Sequence, residues 1–346
     1  MTGRARTTGG DGAGIPGPWR RLRASRAASW TPAHLADLTG RTVVVTGSSR
    51  GIGAAAAVHL ARHGAHVIIL CPSASQGRAS AEAVRRRVTA ARVESVTCDL
   101  ARPDQVREAA GEITRLVGGR LDVLINNAGV AALPYTRSPA GFEMHFAVNH
   151  LGHFALTGHL LPALLSAPRP RVVNVTSVLH WLGRCRTDRP HLPRRYHRWP
   201  AYFDSKLANL LFTHGLTVWA QARGVPLRAV AAHPGLVDTT LGSRALYADG
   251  RRLEARLLRW GQSRWHSPSQ AAWSLVRAAG DPHVAGGEFF GPGGRWEWSG
   301  APVRVRAARR ARDDRAAERL WQLSQRLTGH PFPASPGWPG RGGEPS

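Results

Sequence analysis

Residues Thr42-Val43-Val44-Val45-Thr46-Gly47-Ser48-Ser49-Arg50-Gly51-Ile52-Gly53 decide how the rest of the chain is read. Five β-branched residues in a row predict a short, fully buried strand. A glycine turn follows at once. Beyond it, Ile52 to His63 is an Ala-rich run closed by Gly64, which predicts a helix. Glycines between a strand and a helix let the backbone approach an anionic group, while the free N–H groups of the helix start face it. The spacing is G-x-x-x-G-x-G, not the commoner G-x-G-x-x-G of dinucleotide sites. Gly47, Ser49, Arg50, Gly51, Ile52 and Gly53 are the first candidates for holding phosphates.

Working outward, strands and helices alternate. Further strands are expected at His66–Cys71, Val93–Cys98, Leu121–Asn126, Arg171–Thr176 and Pro226–Ala232, with a short one near Glu288–Phe290. Helices are expected at Ser80–Ala90, Asp104–Val117, Phe142–Leu165, Ala201–Arg223 and Ser267–Ala279. Alternating β and α with unbroken apolar strands implies a parallel sheet covered on both faces. The expected fold is therefore α/β: one doubly wound Rossmann-type domain with about seven strands, spanning residues 38–330. Residues 1–37 are Gly-, Arg- and Pro-rich without periodicity and read as a flexible basic tail, as do 331–346.

Composition narrows the function. Lys plus Arg is 47 against 22 acids, a net charge of +25, which raises a nucleic-acid reading. Only one of those cations is lysine, Lys206, and the arginines are scattered without a basic-aromatic array, so no nucleic-acid partner is expected. Three cysteines provide neither a disulfide framework nor metal-ligand spacing, so no metal is expected. No apolar run has membrane-spanning length; Phe154 to Ala167 is broken by His159 and Pro162. A cytoplasmic location is the expectation.

Two further motifs carry chemistry. Asn126-Asn127-Ala128-Gly129 ends the fourth strand, where such sheets open toward a ligand. Tyr202-Phe203-Asp204-Ser205-Lys206 places a phenol and an ammonium four residues apart, on one face of a helix. A nearby cation lowers a phenol's pKa, as proton transfer near neutrality requires. A chain that uses arginine elsewhere has lysine here, and a compact ammonium is not interchangeable with a planar guanidinium.

With these motifs in this order, the chain resembles the short-chain dehydrogenase/reductase family over about Leu38 to Gly329. The strings Val148-Asn149-His150-Leu151-Gly152-His153-Phe154 and Ser205-Lys206-Leu207-Ala208-Asn209-Leu210-Leu211-Phe212 are similar to the retinol-dehydrogenase-like branch and its actinobacterial relatives. The resemblance implies a catalytic tetrad of Asn149, Ser177, Tyr202 and Lys206. Tyr202 would exchange the proton with the substrate oxygen, Ser177 would hydrogen-bond the developing alkoxide, Lys206 would hold the nicotinamide ribose, and Asn149 would hold a relay water. It also implies cofactor contacts at Asp99, Asn126, Ala128, Gly129, Tyr202 and Lys206, and at Pro234, Gly235, Val237 and Thr239 of the segment beside the nicotinamide.

These residues point to a nicotinamide-dependent oxidoreductase of a small-molecule alcohol or carbonyl substrate. No acid follows the second strand in Leu70-Cys71-Pro72-Ser73, and Arg50 stands in the glycine turn; both favour NADP, with NAD as the other reading. Trp181, Trp199, Trp260 and Trp265 lie in segments that roof the substrate site in this family, which suits a bulky apolar substrate; they equally suit loop packing. A catalytically silent dinucleotide-sensing protein on the same fold is the alternative reading. The helices Phe142–Leu165 and Ala201–Arg223 are more apolar than one sheet face requires, and the resemblance implies that such helices can pair across a two-fold axis in a homodimer.

Overall fold

The computed structural model describes residues 29–185, 196–237, 249–251, 266–330 and 332. In chain order these form β1 (Thr42–Thr46), α1 (Gly51–Arg62), β2 (His66–Cys71), α2 (Ala74–Arg87), β3 (Val93–Thr97), α3 (Pro103–Leu116) and β4 (Val123–Asn126). The second half holds α4 (Met144–Phe146), α5 (Gly152–Leu165), β5 (Arg171–Val175), α6 (Arg198–Ala222) and β6 (Arg228–Ala232). It ends with α7 (Pro268–Ala271), α8 (Trp273–Gly280), β7 (Phe289–Pro292), β8 (Pro302–Arg304) and α9 (Asp314–Thr328).

The strands make one sheet in the order β3-β2-β1-β4-β5-β6-β7-β8. All neighbours pair in parallel except β7 and β8, which are antiparallel. The chain reverses its winding between β1 and β4, so the ligand crevice opens beyond the carboxyl ends of those two strands. The sheet has eight strands where about seven were expected. The extra one, β8, is a three-residue edge strand, too short to leave a periodic pattern.

Strand β2 is buried along its whole length, as are β4 and β5. Alternate residues feed two cores. One lies under α3, α5, α6 and α9, around Phe154, Leu211 and Trp219. The other lies under α1, α2 and α8, around Val43, Ile69 and Leu275. Each fully buried aliphatic side chain contributes roughly 1.5–3 kcal/mol.

Several expectations are corrected. The helix expected over Phe142–Leu165 starts only at Met144 and is interrupted by a π turn at Ala147–Leu151. The helix expected over Ser267–Ala279 is two, α7 and α8. The tail expected over 1–37 is packed at its end: Trp30 and Leu35 are 9% and 6% exposed. Trp30 lies under the Arg277 guanidinium, and Leu35 occupies the space that the missing side chain of Gly280 leaves. At the other end Phe332 is 1% exposed, so the packed domain extends past residue 330.

Phe332 belongs to an aromatic cluster with Phe154, Phe212 and Trp321, its ring 4.9 Å from Phe154 and 4.6 Å from Trp321. Helix α9, which the sequence reading did not identify, is capped by Asp313 and closed by left-handed Gly329. It lays Ala317, Leu320, Trp321 and Ser324 over α5 and α6. The apolar faces expected to meet a second copy thus meet α9 and Phe332 of the same chain.

Candidate active site

The glycine turn has the conformation its sequence demands. Gly47 and Gly51 have φ of +66° and +62°, where only glycine sits without strain. A Cβ on Gly47 would stand 2.6 Å from the Ala128 Cα, and one on Gly53 would stand 2.5 Å from the Asn127 side chain. The turn after β1 and the Asn-Asn-Ala-Gly turn after β4 are therefore packed backbone to backbone. The Thr46 hydroxyl ties them together, accepting from the N–H groups of Asn127 and Ala128, each at 2.9 Å. Asn127 returns a bond to the Thr46 carbonyl at 2.7 Å. Arg50, exposed, precedes the first turn of α1 in extended conformation.

Asn149 sits in the π turn and is fully buried. Its side chain clamps the loop that leaves the Asn-Asn-Ala-Gly turn: Oδ1 accepts from the Val130 N–H at 2.8 Å and Nδ2 donates to the Val130 carbonyl at 3.0 Å. Nδ2 also donates to Ser205 Oγ, which donates to the Tyr202 carbonyl at 2.7 Å. The Asn149 carbonyl lies 3.1 Å from His153 Nδ1.

Tyr202 and Lys206 lie one turn apart on α6. The Lys206 ammonium is 5% exposed and donates to the Val175 carbonyl at 3.3 Å. Burial pushes its pKa down to about 8. Tyr202 hydrogen-bonds Ser177, the residue that caps the turn Val178–Leu182 after β5. Burial pushes the Tyr202 phenol up from its ordinary value, and the Ser177 hydroxyl pulls it back only in part. The expected lowering by Lys206 does not appear between these two groups alone; the ammonium stands 5.8 Å from the ring centre.

Gly129 faces Asn149 and Lys206. A Cβ there would lie 3.2 Å from Asn149 Oδ1 and 3.3 Å from Lys206 Nζ. With no side chain there, the backbone that follows β4 lies in close contact with the Asn149 amide and the Lys206 ammonium. The Pro234-Gly235 turn follows β6. Gly235 has φ +77°, and a Cβ on it would meet the Trp298 carbonyl at 2.5 Å. Val237 is buried, bridged to His266. Thr239, Trp260 and Trp265 lie outside the described residues.

Other expected residues are placed less directly. The side chain of Asn126 turns into the core, donating to Thr157 and Asn174, so only its backbone borders the crevice. Asp99, at the end of β3, accepts from the Ala101 N–H. Trp199 packs edge-on against Tyr202, whereas Trp181 is 47% exposed.

Sequence reasoning missed His153, although it lies within a quoted string and four residues after Asn149. It also missed Glu143, His145 and Tyr196, which gather beside Tyr202 and whose spacing shows nothing in one dimension. Among the described residues no group of side chains could hold a metal ion, and no helix is long and apolar enough to cross a membrane.

Residues 41–248 match the sequence model of a short chain dehydrogenase. The chain is 37% identical to retinol dehydrogenase 12 of Mus musculus over 295 residues, covering 85% of this chain and 88% of that protein. It is 37% identical to polyprenol dehydrogenase of Mus musculus, covering 90% and 89%. A crystal structure of an uncharacterized protein from Mycobacterium paratuberculosis superposes with a TM-score of 0.73 at 39% identity, covering 89% of this chain and all of that one.

Proposed function

The chain belongs to the short-chain dehydrogenase/reductase family, which makes it a nicotinamide-dependent oxidoreductase of alcohol and carbonyl groups; we propose that it prefers NADP to NAD and acts on a bulky, apolar substrate. The observation that supports the catalytic part is the convergence at Gly129. Without a side chain there, the Asn149 amide and the Lys206 ammonium stand together against the backbone after β4, and Lys206 lies one helical turn from Tyr202, which Ser177 meets.

The residues present fit a nicotinamide dinucleotide. The turn from Gly47 to Gly53 would take the pyrophosphate on the N-terminus of α1, with Ser49, Arg50 and Ile52 beside it. Asp99 would lie near the adenine. Ala128, Gly129, Pro234, Gly235, Val237 and Thr239 would border the nicotinamide half. When bound, the cofactor supplies or accepts the hydride.

The protein groups then divide the remaining work. Tyr202, kept protonated by burial, donates its phenolic proton to the substrate oxygen during reduction and takes it back during oxidation. Ser177 hydrogen-bonds the same oxygen as negative charge develops there. Lys206 holds the ribose hydroxyls and, as a cation, favours the phenolate once the proton has left. Asn149 fixes the wall beside them, and its carbonyl is the docking point for a water that returns the proton to solvent.

NADP is supported by the region after β2. Ser73 and Ser75 bond each other there at the start of α2, no carboxylate occurs from Cys71 to Arg78, and exposed Arg50 is free to meet a 2′-phosphate. The apolar substrate is supported by Trp199 against Tyr202 and by two relatives named for isoprenoid alcohols. Three free cysteines fit a reducing, cytoplasmic setting. The test is a panel of aldehydes and ketones of increasing chain length, followed at the reduced-nicotinamide absorbance with each cofactor. Turnover rising with apolar length and faster with NADPH is expected. No turnover with either cofactor would leave the silent-sensor reading.

A further inference from the structure

The loop that follows Gly129 is held by more side chains than its length requires. Asn149 takes both backbone groups of Val130. Arg198, from the first turn of α6, donates to the Ala132 carbonyl at 3.2 Å. The Leu133 N–H donates to His145 Nε2 at 3.3 Å, and the Tyr196 hydroxyl lies 3.3 Å from the Leu133 carbonyl. Within this grip Ala132 has φ +56°, a left-handed conformation that alanine adopts reluctantly.

The groups that do the holding form a buried cluster of their own. Because His145 Nε2 accepts from Leu133, its Nδ1 carries the proton and donates to Glu143 Oε1 at 2.6 Å. The Tyr196 hydroxyl shares its one proton between the same oxygen at 3.0 Å and the Leu133 carbonyl at 3.3 Å. Glu143 also caps α4, accepting from the N–H groups of His145 and Phe146. His145 is fully buried, and its ring meets the catalytic Tyr202 ring edge-on, 6.2 Å between centres. Tyr196 stacks at a tilt on Tyr135, the last residue of the loop. What this cluster fixes is the loop that leaves Gly129.

We propose that Tyr196, seated on Glu143 and His145, is a positioning residue that holds loop 130–135 as a preformed wall of the substrate site. The inference rests on reading the crevice as the oxidoreductase site, and it deepens that reading. Such a wall matters to a substrate with no charge to orient it: shape alone must place its carbonyl at Tyr202, and a loop that has to be ordered by the substrate weakens binding.

The test compares the parent chain with Tyr196→Phe, which keeps the ring and loses the hydroxyl, and with Glu143→Gln. Two readouts are taken: hydrogen exchange of the 130–135 amides, and steady-state kinetics with NADPH and an apolar aldehyde. Both variants should speed exchange in 130–135 by at least ~10-fold while leaving 47–53 unchanged, since the loosening is local. KM for the aldehyde should rise by at least ~5-fold with kcat little altered and the pH profile unmoved, the sign of lost uniform binding. Unchanged exchange in Tyr196→Phe overturns the latch. Faster exchange with unchanged KM overturns its role as a substrate wall. If the parent chain turns over no carbonyl compound, the oxidoreductase reading falls, and the exchange arm decides the latch without it.

Discussion

The Thr46 hydroxyl stands 2.8 Å from His153 Nε2, joining the last residue of the first strand to the helix that follows the Asn149 turn. His153 Nδ1 is on the Asn149 carbonyl, so its proton is there and Nε2 accepts from Thr46. One hydroxyl therefore registers three things against one another: the phosphate turn, the turn after β4 and the π turn. Thr46→Val keeps the shape and leaves the N–H groups of Asn127 and Ala128 without their acceptor. It should cost about 1–3 kcal/mol in denaturant unfolding and weaken NADPH binding measured by calorimetry. Parent-like stability and affinity would show that the two turns hold their register without it.

Tyr202→Phe should leave the fold and NADPH binding intact and lower turnover by at least ~10²-fold, the usual scale for a proton donor. Lys206→Arg should fail comparably, although it keeps the charge. The ammonium is buried against the Val175 carbonyl and Gly129, and a planar guanidinium has no room there. Steady-state rates of an arginine variant near those of the parent would make Lys206 a generic cation.

The pH dependence of reduction should follow Lys206. Burial holds its pKa near 8, so the ammonium is charged below that value and discharges as pH rises through it. Tyr202, pushed up, stays protonated over the same range. Carbonyl reduction should therefore be level near neutrality and fall above about pH 8. A plateau in kcat/KM that runs past pH 10 would contradict this.

Stability should fall on the acid side. Burial pushes His150 down to about 3, and His153 and His180 to about 4, from the ordinary 6.5. Unfolded histidine takes a proton below 6.5 while these stay neutral in the fold. Their contribution is thus full above 6.5 and is lost as pH falls toward 4, at about 1.4 kcal/mol per pH unit for each. Melting temperatures measured from pH 7 to 4.5 should drop steeply; a flat series would mean that these rings are not sealed from water.

Phe332→Ala should cost about 3–5 kcal/mol, because the ring fills the centre of the Phe154, Phe212 and Trp321 cluster. The parent chain should not pair through α5 and α6, which α9 covers. Light scattering should show the variant associating more than the parent. A parent dimer cross-linked through α5 would overturn this.

What the sequence made legible follows the range of each signal. β1 and its turn could be read because a β-branched run and three glycines act over a dozen adjacent residues. Tyr202 and Lys206 could be read because helical spacing brings them together without help from elsewhere. Helix α9 was overlooked although Asp313 and Gly329 mark its ends. Its stripe of Ala317, Leu320, Trp321 and Ser324 is diluted by alanine and serine and flanked by arginine. Trp30, Leu35 and Phe332 sit in Gly-, Pro- and Arg-rich surroundings that read as tail, and only the partner surface shows them to be core. The cluster of Glu143, His145 and Tyr196 joins residues about fifty apart, a separation that no local pattern encodes.

Lys206 carries the chain's single side-chain amine, and it lies beside Gly129 with 5% of its surface exposed. An acylating reagent thus has one lysine to find, and at mildly alkaline pH a good share of that amine is uncharged and nucleophilic. A dinucleotide seated in the crevice would close what access remains. The extent of modification, read by mass spectrometry on one peptide, would then report occupancy of the site directly, with no substrate and no turnover required.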